Sequence, residues 1–139
     1  MKTILLTVTL LAAGLHGACR AADDCTAPSA RTLASIDELP EAVQALLGRR
    51  EPGIGGIADA GSRFNPSDAV AGMPPLPMRR FASASAGDGC YAVTLEQGGI
   101  AHWFETHIVR RERGAWRVAG TRRPAPAELP PEHTKQRQP

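Results

Sequence analysis

Apolar residues crowd the first fifteen positions of the chain, then thin out and return in two different rhythms. Between Ser35 and Gly48, Leu39, Val43, Leu46 and Leu47 recur at helical spacing and share one face. Ser35 with Glu38 fits a capping box, and Asp37 is a competing cap that places Pro40 in the first turn, where a missing N–H costs little. Gly48 is a natural terminator. These signals predict a helix over 35–48.

From Met78 onward the rhythm becomes an alternation of apolar and polar residues, which predicts strands over 78–86, 90–97, 100–111 and 115–122. Gly98-Gly99 reads as a two-residue hairpin turn. That turn would set Gln97 opposite Ile100, Leu95 opposite His102, Val93 opposite Phe104 and Tyr91 opposite Thr106. One face would then carry Tyr91, Val93, Leu95, Ile100, Phe104 and Ile108 as the core. The other would carry Cys90, Trp103, Glu105, His107 and Val109, with Cys90 opposite His107. A three-residue loop, Glu112-Arg113-Gly114, would place Trp116 opposite Arg110 and Val118 opposite Ile108, on the core face. The expected fold class is therefore α+β, with one N-terminal helix packed on an antiparallel meander of about four strands.

The first residues have a different logic. Lys2 is followed by an uncharged run to Leu15, rich in Ile and Leu, and then by Gly14, Gly17 and Ala18. This is the order of a secretory signal peptide, and the run is shorter than the ~20 residues that span a bilayer. Residues 1–18 are accordingly read as a signal peptide. Leu15-His16-Gly17-Ala18-Cys19 resembles a bacterial lipobox, which would make Cys19 a lipidated first residue. It departs from that pattern at His16, where an aliphatic residue is usual. Cleavage after Ala18 or Ala21 without lipidation is the alternative.

The chain has three cysteines, Cys19, Cys25 and Cys90. Lipidation of Cys19, or its removal with the leader, leaves Cys25 and Cys90 as a pair, and an oxidising compartment favours a disulfide between them. Two free thiols are the alternative.

The remaining organisation is one domain: an extended segment over 19–34, an α+β domain over 35–123 and a disordered Pro-rich tail over 124–139. Net charge is only +2, but it is uneven. Residues 19–78 hold five arginines against eight acids, and residues 79–139 hold ten basic residues against six acids. The stretch 49–77 is rich in Gly and Pro and lacks periodicity, which marks a functional loop or one wrapped over the core.

Candidate chemistry is sparse. Gly53-Ile54-Gly55-Gly56 lacks the Lys-Ser/Thr ending of a phosphate-binding loop. His102 would face away from Glu105 and His107, and Cys90, the remaining possible ligand or nucleophile, is better used in a disulfide. No serine elbow is present. No catalytic, cofactor-binding or metal-binding residue is assigned. The arginines 110, 111, 113, 117, 122 and 123 would meet an anionic partner or simply protect a sheet edge.

Phe64-Asn65, Pro77-Met78-Arg79-Arg80-Phe81 and Glu96-Gln97-Gly98-Gly99 resemble small uncharacterised exported proteins of Gram-negative bacteria. That resemblance implies export and a single small domain and brings no activity. A helix beside a curved antiparallel sheet also looks like the cystatin and nuclear-transport-factor-like layouts, without conferring their functions. The expectation is an exported envelope binding protein without catalytic activity, of an inhibitor or immunity type. It would sit in the periplasm, on a membrane if Cys19 is lipidated. Its partner would be an envelope protein or cell-envelope component, with no nucleic acid and no cofactor. The alternatives are a small-ligand carrier, with a pocket between helix and sheet lined by Tyr91, Phe104 and Trp116, and an envelope hydrolase.

Overall fold

The computed structural model describes residues 25–67 and 74–131. The signal peptide expected over 1–18 and the lipidation expected at Cys19 fall outside the described residues. Strand β1 (Arg31–Leu33) leads through a 3-10 turn (Ile36–Glu38) into helix α1 (Glu41–Leu47). A second 3-10 turn (Gly53–Gly55) precedes β2 (Ile57–Ala58), and β3 (Arg79–Gly87), β4 (Cys90–Gln97), β5 (Trp103–Glu112) and β6 (Ala115–Arg122) follow.

The helical signals are used in two pieces. Ser35 Oγ accepts from the Asp37 N–H at 3.1 Å, and Glu38 Oε1 accepts from the N–H groups of Ser35 and Ala34. This capping box starts a single 3-10 turn. Leu39 then turns extended (φ −75°, ψ 147°), because a residue preceding proline is driven out of the helical region. Helix α1 restarts after Pro40 and ends at Gly48, whose φ of 85° lets the chain reverse. It is therefore short, and Leu46 is exposed while Leu39, Val43 and Leu47 are buried.

The sheet has six strands in place of the four expected. Its order is β1-β3-β4-β5-β6, all antiparallel, with β2 pairing in parallel with the start of β3. The two additional strands, of three residues and two residues, are too short to show an alternation in sequence. The helical side of the sheet holds the main core. Leu33, Ile36, Leu39, Val43, Leu47 and Ile57 pack there against Phe81, Val93, Leu95 and Val109, with Tyr91 and Trp116 at its margin. Each such side chain contributes about 1.5–3 kcal/mol by leaving water. The Tyr91 and Trp116 rings are 5.2 Å apart between centroids.

Register departs from expectation in both hairpins. The β4–β5 connection is the loop 98–102, and Gln97 opposes Trp103, Leu95 opposes Glu105 and Val93 opposes His107. The slip is an odd number of residues, so β5 is turned over. Val109 enters the core, Phe104 and Ile108 move to the other face, and Ile100 is almost fully exposed. The cause is tertiary. The Gly98 N–H donates to Met78 O at 2.7 Å, and the Asn65 carbonyl lies against its Cα so closely that a Cβ would stand 2.0 Å from that oxygen. The two glycines receive a neighbouring loop instead of forming the turn.

The β5–β6 turn is the two-residue Arg113-Gly114, both at positive φ, so Glu112 opposes Ala115 and Trp116 opposes Arg111. This corrects the three-residue loop. The second odd slip cancels the first, and Trp116 still packs on the helix side.

The stretch 49–67 wraps the end of the sheet where β3 begins. Arg79 donates to the carbonyls of Leu47 and Gly55, and Arg49 donates to Ile57 O and pairs with Asp59 at 2.8 Å. Two arginines thus tie the helix end, the Gly-rich turn and β2 together.

Candidate functional site

On the face away from the helix, β3, β4 and β5 present Ser83, Ser85, Ala92, Thr94 and Thr106, by strand alternation from the observed register. Small and hydroxyl side chains make the middle of this face flat and low. Two flanking segments rise from it and form the walls.

The first wall is the stretch beginning at Cys25. Its disulfide to Cys90 joins positions 65 apart in sequence, with Cα atoms 5.5 Å apart, and both residues are buried. The pairing expected from cysteine parity is present. Ser85 Oγ donates to Cys25 O and pins the segment a second time. The second wall comes from the Pro-rich stretch beyond β6, which was expected to lack structure. Its described part, 124–131, contains a 3-10 turn over Pro126–Glu128. Glu128 takes both ends of the Arg122 guanidinium, accepts from the Ala125 N–H at 2.6 Å, and offers its carbonyl to Ser83 Oγ at 2.7 Å. The Arg122 hydrogen bonds hold the Glu128 carboxyl below the usual carboxylate range and raise the Arg122 pKa in return.

Between the walls lies a trough of about 480 Å³, lined by Thr26, Pro28, Thr94, Thr106, Leu129 and Pro130 among others. Its floor is bound by one hydrogen bond, Thr94 Oγ1 to Thr106 Oγ1 at 2.8 Å, between two fully buried side chains. Two hydroxyl hydrogens are present and their mutual bond uses one, so the second needs an acceptor of its own. The lining is otherwise uncharged apart from Glu128, whose carboxylate is committed to Arg122. Such a surface suits a narrow, uncharged or extended occupant with a hydrogen-bond acceptor.

The chain matches no known family model, no curated protein and no solved structure.

A second polar cluster closes the far end of the same face. Glu96 is buried, and its Oε2 accepts from Arg80 Nε at 2.7 Å and Arg80 Nη2 at 2.6 Å. Its Oε1 meets His102 Nε2 at 2.7 Å. The Arg80 guanidinium also lies over the Phe64 ring at 4.3 Å. These contacts fasten the 98–102 loop and the 62–66 stretch to the sheet. The sequence pattern assigns Glu96 no role, because an acid in an alternating strand ordinarily faces water. A glutamate two positions beyond a threonine on the non-core face offers no local sign of being covered.

The residues weighed for metal or nucleophile chemistry do not converge as drawn. Cys90 opposes Arg110 rather than His107, and His107 points to the helix side with Glu105. No group of three or more His, Cys, Asp or Glu side chains is placed to hold a metal ion among the described residues. The trio proposed to line a carrier pocket is also split, since Phe104 faces away from Tyr91 and Trp116.

His107 nevertheless has a measurable consequence. Burial lowers its pKa from 6.5, Glu105 at 3.4 Å opposes that shift, and Arg79 adds to it. Its Nε2 is buried without a hydrogen-bond partner among the described residues. The unfolded chain therefore binds this proton more readily than the folded one. The neutral imidazole supports stability above pH 6.5, and that support is lost as pH falls through the lower folded value. Wild type should lose denaturant resistance below pH 6.5 more steeply than His107→Gln; parallel pH profiles for the two proteins would remove this assignment.

Proposed function

We propose that this chain is an exported envelope binding protein without catalytic activity of its own, holding part of an envelope protein or envelope component in the trough, in the manner of an inhibitor or immunity protein. The observation that carries this reading is the trough itself: a low floor of Ser, Thr and Ala between two walls anchored by side chains and by a disulfide. The anchoring supports a preformed site, which lowers the ordering cost of binding. The Cys25–Cys90 bond supports an oxidising compartment, in agreement with the leader-like first residues. Among the described residues no helix is long and apolar enough to cross a membrane. Any membrane contact in this reading runs through a lipid on Cys19.

The trough volume also falls in the range of small-molecule sites, about 300–1,000 Å³. That keeps a small-ligand carrier as the second reading, with its site on this face and not between helix and sheet. One experiment separates the two. The protein is purified from the envelope fraction and weighed by native mass spectrometry beside Ala30→Trp, which projects an indole from the wall. A protein partner lost in Ala30→Trp is the expected result. A bound small molecule lost in Ala30→Trp selects the carrier reading. Identical species on both proteins overturn the trough as the site.

A further inference from the structure

Strand β6 is the last of the sheet, and its outer edge pairs with no other strand among the described residues. Residues 117–121 are all exposed, including the apolar Val118 at 42 %. In a two-residue hairpin the closing pair, here Glu112 and Ala115, exchanges backbone hydrogen bonds. Alternation then turns the N–H and C=O groups of Trp116 and Val118 outward. The register irregularity beyond Val118 ends this regular edge, so the open stretch is Ala115–Val118.

The charge along this edge is one-sided. Arg110 and Arg117 stand directly opposite each other across β5 and β6, a like-charge placement that costs stability. Arg110 Nη2 is buried with no hydrogen-bond partner among the described residues. Neither these two nor Arg113 forms an ion pair there. From Arg113 to Ala127 the chain holds four arginines and no acidic residue. Arg117 stands exposed on the edge strand itself, so its unpaired charge is open to a carboxylate from outside.

We infer that the Ala115–Val118 edge docks an extended acidic segment of another protein, which adds a strand to the sheet. Its acidic residue faces Arg117, and its apolar neighbours cover Trp116 and Val118. Backbone hydrogen bonds supply affinity, and the alternation of acid and apolar side chains supplies selectivity. A second copy of this chain is a poor occupant, because antiparallel pairing at the same edge sets Arg113 and Arg117 of both copies beside one another. This surface is separate from the trough, and its test does not depend on what the trough holds.

The probe is a short labelled peptide alternating glutamate and valine, titrated by fluorescence anisotropy into the protein expressed from its full sequence with its disulfide intact. Binding that weakens with salt is expected, at least about tenfold weaker in Arg117→Glu, since close interfacial charge pairs are worth that much or more. Arg117 is exposed, so that variant leaves the fold alone. Val118→Pro removes an outward N–H that the sheet does not use, keeps every charge, and should abolish binding with the unfolding midpoint retained. A peptide alternating lysine and valine should not bind. Undiminished binding to Val118→Pro would reduce the site to charge alone and overturn strand addition. Arg117-dependent binding to phosphatidylglycerol vesicles without binding of the peptide would overturn it in favour of a membrane surface. Binding seen only after Asp23→Asn and Asp24→Asn would show that the chain's own acids occupy the edge. No binding under any of these conditions also overturns the proposal.

Discussion

Replacing both Cys25 and Cys90 with serine should lower the free energy of unfolding by about 4 kcal/mol, on the chain-entropy model for a loop of this length. The bond joins positions 65 apart, so the unfolded chain loses a large share of its freedom when it is closed. The native state also depends on it locally. Cys25 and Cys90 form a small buried cluster with Ala92, with Ile108 packed against it, away from the helix-side core. Without the bond, the first wall of the trough is held by Ser85 Oγ and by the pairing of β1 with β3. Denaturant unfolding of wild type with and without reductant, beside the double serine variant, checks this. The reduced wild type should behave like the variant. A loss well below 1 kcal/mol in both would mean that the unfolded chain is already confined or that the bond contributes nothing.

Glu96→Ala should cost about 3 kcal/mol, near the lower end for removing one partner of a buried ion pair. The carboxylate is 4 % exposed and serves both Arg80 and His102, so alanine strands a guanidinium and an imidazole together. The lower end applies because Arg80 keeps some access to water and its stacking on Phe64. Glu96→Gln keeps the shape and one acceptor oxygen, and should cost about half as much. The two variants measured by chemical denaturation give an ordered pair of effects. If alanine is no worse than glutamine, the cluster is solvated in solution and the 98–102 loop is held by other contacts. The backbone bonds from Gly98 to Met78 and from Gly99 to Pro66 are among those contacts.

Much of the local structure was legible in the residues. Ser35 and Glu38 make their capping box, Gly48 reverses the chain after the helix, and the limits of β4 and β6 fall at the expected residues 90–97 and 115–122. Each of these depends on neighbours a few positions apart. The strand pairing was not legible. Gly98-Gly99 has the composition of a tight turn, but Met78, Asn65 and Pro66 occupy it from a distant part of the chain. Displacing that turn inverted β5, and the true turn at Arg113-Gly114 inverted β6 back. Trp116 therefore reached the expected side through two compensating shifts.

The candidate trough was still less legible. Thr94 and Glu96 alternate with Val93 and Leu95, a pattern that ordinarily means one wet face. Glu96 is buried because Arg80, His102 and the stretch around Phe64 close over it, and Thr94 because the segments beginning at Cys25 and at Pro124 lie over the far side of the sheet. Those segments have little apolar content of their own and are held by a disulfide, an ion pair and serine hydroxyls.

The sequence by itself determined that a helix precedes the long strands, where those strands run to within a few residues, and which two cysteines pair, because periodicity, capping and cysteine parity are properties of the residues themselves. Only the tertiary structure decided which way β5 faces, that Glu96 is enclosed, and that the second face is walled into a trough. Those outcomes rest on hydrogen bonds, ion pairs, a disulfide and steric contacts, most of them between residues remote in sequence, and no local pattern encodes which remote partner arrives.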